Sequence, residues 1–522
     1  MAQLALVVKF AGYTVFSSLL LATIVWVAVA IYRLTFHPLA KFPGPKLNAI
    51  SSIPGIISLL RGRLPLDNKV LHDKYGPVVR VSPNELAFNS AQAWDDIYGH
   101  RQGHINMHKS PVHVGSVDNL PGVTTLTMAD DENHSRQRRA LAHAFSLKAL
   151  TEQQDIIQHF VTKLVDNVRR MARDGQEFNL VDWLNFTTFD IIGDLAFGEP
   201  FGCLDNGKFH FLVQAIFENI KAGAVEHATR RFATPGSPLQ LYLMSLLPAR
   251  LKQFRRSHLE FSREKALKRL ENTNLEHRDF IWYILKQRDK FDLKLDEIIV
   301  NSGLFIVAGS ETTANLLSGL FARLFWNPDK YQILRDEIRG AFKSEDEIVY
   351  ENLVNLPYLN AVIEEALRVH PPVPTGLLRT VPRGGDTIDG YWVPEGTHVA
   401  VGGWAASHNP LNFKDPDLFI PERWLDNPEY ATDNKRGMAP FSLGPRGCIG
   451  KHLSYLEMRV ILGRLLWNFD ILSIDGAAMW DPSGEMHRMR AYMTWQKPEL
   501  RCKAVEVGRA EPNEKVQAVE EA

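Results

Sequence analysis

From Phe10 to Tyr32 the chain carries no charged residue. A run of that length can cross the roughly 30 Å hydrocarbon core of a bilayer as one helix, and it exceeds the apolar stretch of a cleaved secretory signal. A buried core helix is the alternative use. It fits poorly with the terminal position and with Pro43-Gly44-Pro45 just beyond, because proline fixes φ and disfavours helix at the residue before it. Arg33, Lys41 and Lys46 follow the run against Lys9 before it, a bias that keeps the rest of the polypeptide on the cytosolic side. The expected organisation is a membrane anchor over residues 1–35 and a proline-rich hinge over residues 36–50, with all remaining structure on one side of a membrane.

With 522 residues, 45% of them apolar, and a net charge of −1, the chain can bury a large core and has no electrostatic bias toward nucleic acid. Length alone suggests several domains, at about 150 residues each. No long linker, repeat or low-complexity tract divides the chain after the hinge, so one catalytic unit is expected over residues 51–503. Residues 504–522 are polar and acidic with almost nothing apolar to bury, and read as a disordered tail. Cys203, Cys448 and Cys502 form no CxxC pair and no regular spacing, which argues against a disulfide framework or a structural zinc site. His452 lies close to Cys448, but no second pair of ligands accompanies it, so an exposed helix residue is expected there.

Helical periodicity dominates the first half. Apolar residues recur at helical spacing from about Glu132 to Ala172 (Leu141, Phe145, Leu150, Ile156, Phe160, Leu164, Val168), and similar patterns fill Trp183 to Phe197 and Phe209 to Val225. Val78 to Phe88 has strand composition interrupted by Pro83, and Gly99 to Thr127 reads as a long loop. A long helix is predicted from Asp296, as N-cap, to Trp326, stopped by Asn327-Pro328; it is apolar nearly all round, which suits a place inside the molecule. After a helix from Pro357 to Val369 the pattern turns to short strands, Ile388-Asp389-Gly390-Tyr391-Trp392-Val393 and then His398 to Val401.

Four groups of residues carry chemistry. In Phe441-Ser442-Leu443-Gly444-Pro445-Arg446-Gly447-Cys448-Ile449-Gly450, a lone cysteine framed by glycines precedes an apolar helical stretch. Unpaired N–H groups of a helix start favour a thiolate, and the glycines let backbone approach a flat ligand; a buried structural thiol is the plainer reading. Inside the long helix stands Ala308-Gly309-Ser310-Glu311-Thr312-Thr313. Glycine there costs about 1 kcal/mol relative to alanine, so either a ligand lies against it or it packs a neighbouring helix. Thr312 can bond the carbonyl of Ala308 or turn its hydroxyl toward a cavity. Glu365 and Arg368 share one helix face, followed by His370-Pro371-Pro372 and later by Pro421-Glu422-Arg423-Trp424. Arginines suited to gripping carboxylates stand at Arg138, Arg379 and Arg446, while Arg136 and Arg139 read as solvated or partner-facing.

The string Phe-x-x-Gly-x-Arg-x-Cys-x-Gly resembles the haem-binding motif of the cytochromes P-450, and the hexapeptide at Ala308 resembles that family's oxygen-activation motif. Glu365, Arg368 and Arg423 resemble its Glu-x-x-Arg pair and later arginine partner, and His134-x-x-x-Arg138 resembles its tryptophan-x-x-x-arginine helix with histidine in the aromatic position. The motifs occur in the family's order across essentially the whole chain. Phe36 to Lys46 and His134 to Ser146 further resemble fungal members serving secondary metabolism, including isotrichodermin-type hydroxylases.

The resemblance implies a mainly α fold with a small β region, the cytochrome P-450 fold, preceded by a single N-terminal transmembrane helix. It implies haem b with Cys448 as the axial iron ligand; Arg446, Arg379, Arg138 and His134 toward the propionates; Phe441, Gly444 and Gly450 around the cysteine; and Thr312 with Glu311 guiding protons, the threonine hydroxyl facing the cavity. Glu365, Arg368 and Arg423 would lock the fold around the haem. The implied activity is monooxygenation of an apolar small molecule, a terpenoid or polyketide among the candidates, with dioxygen and electrons from NADPH. The sequence shows no flavin or dinucleotide motif, so the electrons are expected from a separate NADPH–cytochrome P-450 reductase, with cytochrome b5 as an optional second donor. Lys435, Arg436 and Lys451 would form its docking face. The implied location is the endoplasmic reticulum membrane, single-pass, with the catalytic domain cytosolic. The substrate pocket is expected from the Gly99 to Thr127 loop, Phe209 to Val225, Phe305 and Ala308, and Thr375 to Leu378. Two rivals remain open: a haem-thiolate isomerase or dehydratase working without external electrons, and a membrane-anchored haem sensor or carrier.

Overall fold

A computed structural model describes residues 2–113, 120, 122–271, 277–480 and 489–508. The first element is a helix, Ala2–Thr35, long and apolar enough to cross a membrane, whose Phe10, Phe16, Leu20 and Trp26 project away from the protein body. The segment behind it is not a free hinge. Leu39 and Phe42 are buried, the Arg80 N–H donates to the Pro43 carbonyl at 2.7 Å, and the Arg80 guanidinium donates to the carbonyl of Arg33 at 2.7 Å. Arg33 in turn donates to the carbonyl of Ile50. The last turn of the first helix is therefore bonded to the body of the protein.

That body is mainly helical and built around one long helix, Leu295–Trp326, buried along most of its length. Its C-terminal stop at Asn327 before Pro328 is the predicted one. Its start differs. Asp296 is not the cap; Lys294 is the N-cap residue, and the Glu297 carboxylate reaches back to accept its N–H at 2.9 Å. Glu297 also takes the guanidinium of Arg136, so that arginine is paired within the fold rather than solvated. The helix Leu180–Phe197 lies along the long helix, and Gly309 shows why they approach so closely. A Cβ at position 309 would stand 2.6 Å from Ile192 Cδ1, closer than any packed carbon contact. Helix packing accounts for that glycine, although its surface also reaches the cavity described below.

The periodic stretch from Glu132 to Ala172 is divided into helices Asp131–Leu141, Leu147–Glu152 and Gln154–Arg173, with a tight turn at Ala142–Phe145. Ser146 caps the second of these by accepting from the Ala149 N–H, a local bond that competes with a continuous helix. The predicted helix Pro357–Val369 has those bounds, its first amides held by the Glu337 carboxylate at 2.8 Å.

Strands Val78–Ser82, Glu85–Phe88, His398–Val401, Arg379–Thr380 and His108–Lys109 form one sheet in that order. Glu85–Phe88 runs parallel to His398–Val401, Phe88 opposite Val401. Asp386–Ile388 and Tyr391–Val393 form a hairpin whose Asp389-Gly390 turn has φ of 49° and 77°, the geometry for which Asp-Gly is selected. A third sheet joins Phe178–Asn179, Arg501–Glu506 and Phe469–Ser473. Here the expected tail boundary is corrected: Ala504, Val505 and Glu506 pair with Ile471, Asp470 and Phe469, so folded structure continues past position 503. The remainder of the expected tail, from residue 509, lies outside the described residues.

Candidate functional site

Between the long helix and the cysteine loop lies a cavity of about 300 Å³, lined on one side by Ala308, Gly309, Thr312 and Thr313 and on the other by Phe441, Arg446, Cys448 and Gly450. The loop is held in an unusual path. Ser442 has φ of 56° and Gly444 φ of 66°, and a Cβ at Gly444 would come 2.1 Å from the Tyr98 carbonyl oxygen, so only glycine serves there. The Cys448 N–H donates to the Phe441 carbonyl at 2.8 Å and closes the loop, after which the helix Lys451–Asn468 begins. Phe441 packs on Tyr455 of that helix with ring centroids 5.2 Å apart.

The Cys448 sulfur sits deep in the protein yet open to this internal cavity. Burial pushes its thiol above the ordinary value, against a hydrogen bond from the Gly450 amide and the charges of Arg138 and Lys451. An amide and two cations facing a sulfur are the surroundings a metal-bound thiolate requires. His452 points to solvent, as expected.

The three arginines and His134 come together. Arg138, Arg379, Arg446 and His134 all line a recess beside the cysteine loop. Arg138 donates to the Gly447 carbonyl at 2.6 Å; Arg446 donates to the Ala129 carbonyl at 2.8 Å and pairs with Asp131 at 2.7 Å. Arg446 Nη1 is buried with no hydrogen-bond partner among the described residues. Arg379 is buried over the Tyr98 ring at 5.1 Å, and its one described hydrogen bond is a long one to its neighbour's carbonyl. His134 is pushed down to about 4 by burial and by the adjacent arginines, and therefore stands neutral in this recess. Buried guanidinium donors with N–H groups to spare are one half of a carboxylate site. With the apolar walls at Phe305, Leu316, Leu367 and Leu453, these residues fit a flat apolar macrocycle that carries an iron at its centre and carboxylates at its edge.

On the opposite wall, the Thr312 hydroxyl donates to the Ala308 carbonyl at 2.7 Å. The expectation of a hydroxyl turned to the cavity is thus corrected: the side chain lines the cavity but its proton is held by its own helix. Glu311 lines, together with Ala308 and Thr312, an adjoining mainly apolar cavity of about 230 Å³. Its carboxylate pairs with Lys497 at 2.5 Å and lies 3.4 Å from the Thr494 hydroxyl. Burial lowers the Lys497 ammonium, the Glu311 charge opposing the shift.

That second cavity uses the predicted Thr125 and Thr127, Ile216 and Ile220, Ala308, and Thr375 to Leu377. Sequence reasoning missed His227, His258, Ser262 and the C-terminal Tyr492 to Thr494. His258 carries no motif; its signal is its place on a helix, Ala249–Glu271, whose polar residues conceal a buried face. Lys497 was missed as well, being a lone lysine in a segment without periodicity.

Glu365, Arg368 and Arg423 are fully buried. Arg368 grips Glu365 through two bonds of 2.7 and 2.9 Å and donates to the carbonyls of Ser407, Pro416 and Leu418; Arg423 reaches Glu365 at 3.1 Å and pairs with Asp433. This buried group ties the helix Pro357–Val369 to the segment that leads into the cysteine loop.

A family model described as cytochrome P-450 matches residues 45–498. The chain is 45% identical over 497 residues to cytochrome P-450 monooxygenase aba2 of Botryotinia fuckeliana, covering 94% of each chain. It is 45% identical over 477 residues to cytochrome P-450 monooxygenase ABA2 of Pyricularia oryzae, covering 89% of this chain and 91% of that one. Against cytochrome P-450 monooxygenase astJ of Aspergillus oryzae the identity is 41% over 476 residues, covering 90% and 92%.

Proposed function

The chain belongs to the cytochrome P-450 family and is a haem-thiolate monooxygenase, and we propose that Cys448 ligates its haem iron and that it oxidises an apolar skeleton, terpenoid or polyketide, in fungal secondary metabolism. Haem b, when bound, supplies activation of dioxygen with electrons drawn from NADPH and transfer of one oxygen atom to the substrate.

The chain's own residues have four tasks. Cys448 holds the iron through its sulfur, helped by the Gly450 amide, while Gly444 keeps the loop on its path beside Tyr98. Arg138, Arg379 and Arg446 hold the edge carboxylates, with neutral His134 among them as a further donor. The apolar cavity beside Ala308 orients the substrate and keeps bulk water from the reacting carbon. Glu311 and Thr312 move protons: the threonine hydroxyl turns from the Ala308 carbonyl, gives its proton into the cavity it shares with Cys448, and takes a replacement proton from Glu311. The observation that carries this reading is the cavity shared by the Cys448 sulfur and the Ala308–Thr313 wall.

Electrons come from an NADPH–cytochrome P-450 reductase, with cytochrome b5 as a second donor, docking at Lys435 and Lys451. Arg436, the third basic residue there, is paired with Asp95. The helix Ala2–Thr35 anchors the protein to the endoplasmic reticulum membrane as a single span, the catalytic body being cytosolic. The test is the difference spectrum of the reduced, carbon monoxide-bound protein beside Cys448→Ser. A strongly red-shifted Soret band in the wild type alone is expected; its absence from a folded wild-type protein would remove the ligand assignment.

A further inference from the structure

Glu311 is assigned above to proton delivery, yet its carboxylate is already engaged. The partner is Lys497, in the segment that leads into the strand Arg501–Glu506, and both side chains are almost wholly buried, 4% and 6% exposed. Lys497 Nζ also donates to Asn185 Oδ1 at 3.0 Å and lies 5.3 Å from the centre of the Phe217 ring. Asn185 belongs to the helix packed along the long helix, and three residues earlier that helix carries Asp182, a half-buried acid that acts on Lys497 through its charge. Glu499 acts on Asp182 in the same way. Asp182 is thus coupled by charge both to Lys497 and to the exposed Glu499, on the C-terminal segment that also carries Lys497.

Two charges buried together lose most of their hydration, which narrows the gap in free energy between an ion pair and its neutral form, amine beside carboxylic acid. Lysine can make that exchange; arginine, protonated at all working pH values, cannot. On the reading of Glu311 as a proton donor, we propose that Lys497 is the group that charges it with the proton. An N–H bond of the Lys497 ammonium breaks and an O–H bond forms on Glu311, leaving both groups neutral. After Glu311 gives up that proton, the Lys497 amine recovers one from water on the Asp182 and Glu499 side, which restores the ion pair. Lys497 is in this sense a positioning and relay residue, and the substrate cavity need not admit water for protons to arrive.

The decisive substitution is Lys497→Arg in the full-length holoenzyme, since it keeps the charge and the pairing and removes only the ability to release a proton. The expected result is a folded protein with Glu311 still ionised, hence no carboxylic acid C=O band in the infrared. Product formed per NADPH consumed is expected to fall about tenfold or more, with a larger solvent deuterium isotope effect. Lys497→Met is expected to show the carboxylic acid band, absent again in Glu311→Gln/Lys497→Met, with the same loss of coupling. If arginine is not accommodated, the two methionine variants decide the question alone. Wild-type coupling in a folded Lys497→Arg or Lys497→Met protein overturns the relay and leaves a purely structural ion pair. Glu311→Gln separates the two levels: if it couples normally, the reading of Glu311 itself falls; if it is impaired while the Lys497 variants are normal, only the relay falls.

Discussion

Glu457, on the helix that follows Cys448, faces Thr313, and neither its carboxyl oxygens nor the threonine hydroxyl completes a hydrogen bond of good geometry among the described residues. Burial pushes it up to about 8 from an ordinary 4.5, so the folded state favours the protonated acid. That contribution to stability is fully present below pH 4.5 and is lost as the pH rises through about 8. Buried histidines act on the other limb: His370 is pushed down to about 3 and His258 to about 4, both chiefly by burial, so the stability they lend is present above 6.5 and lost as the pH falls. Glu457→Gln is therefore expected to flatten the decline of stability between 4.5 and 8 and to leave the acid limb unchanged, as read from denaturation midpoints across pH. The glutamate is plain in the sequence, but its isolation is not, because nothing local reports that Thr313 of a distant helix is the polar group it faces.

Elements are joined by a few buried polar groups. Glu365→Ala leaves Arg368 as an uncompensated buried cation and Arg423 with Asp433 alone, a loss expected to cost about 3–5 kcal/mol. The check is the denaturation midpoint together with the fraction of haem retained, since the same group ties the helix Pro357–Val369 to the approach of the cysteine loop. The last strand gives a second test. A chain ended before Ala504 loses the pairing with Phe469–Asp470–Ile471 and the Glu506 bond to Arg169 at 2.8 Å, on the order of 3 kcal/mol at about 1 kcal/mol per bond. Helices were legible where the periodicity was long and the stops were proline, as at Trp326 and Val369. The strand at Ala504 was not legible, because its polar composition reads as a tail until the partner strand from Phe469 supplies the hydrogen bonds.

At the scale of the whole molecule the anchor, the body and the proposed docking face are linked through backbone. Arg80 holds the end of the first helix at the Arg33 carbonyl, so the angle between that apolar helix and the body is constrained by bonds within the chain. On the face next to the cysteine loop, Lys435 and Lys451 are exposed, lying 5.4 Å from the Trp424 ring and 5.9 Å from the Phe441 ring. Lys435→Glu/Lys451→Glu is expected to slow the first electron transfer several-fold at low salt and to abolish its salt dependence, as measured by stopped-flow reduction with purified reductase. Unchanged salt dependence would move the docking face elsewhere.

The arginines beside the cysteine loop were implied by the family resemblance; by itself the sequence determined the apolar first helix, the mainly helical body, the glycine-framed cysteine loop and the long helix. Each of these rests on local chemistry: an uncharged run, a periodicity, a proline stop, glycines where the backbone must bend. Only the tertiary structure decided that Glu311 is paired with Lys497, that Thr312 is bonded to its own helix, that Gly309 is a contact with Ile192, and that Arg446 keeps a buried donor to spare. These are relations between groups brought together by folding, and burial and partner geometry, which set their charge and their hydrogen bonds, exist only once the chain is folded.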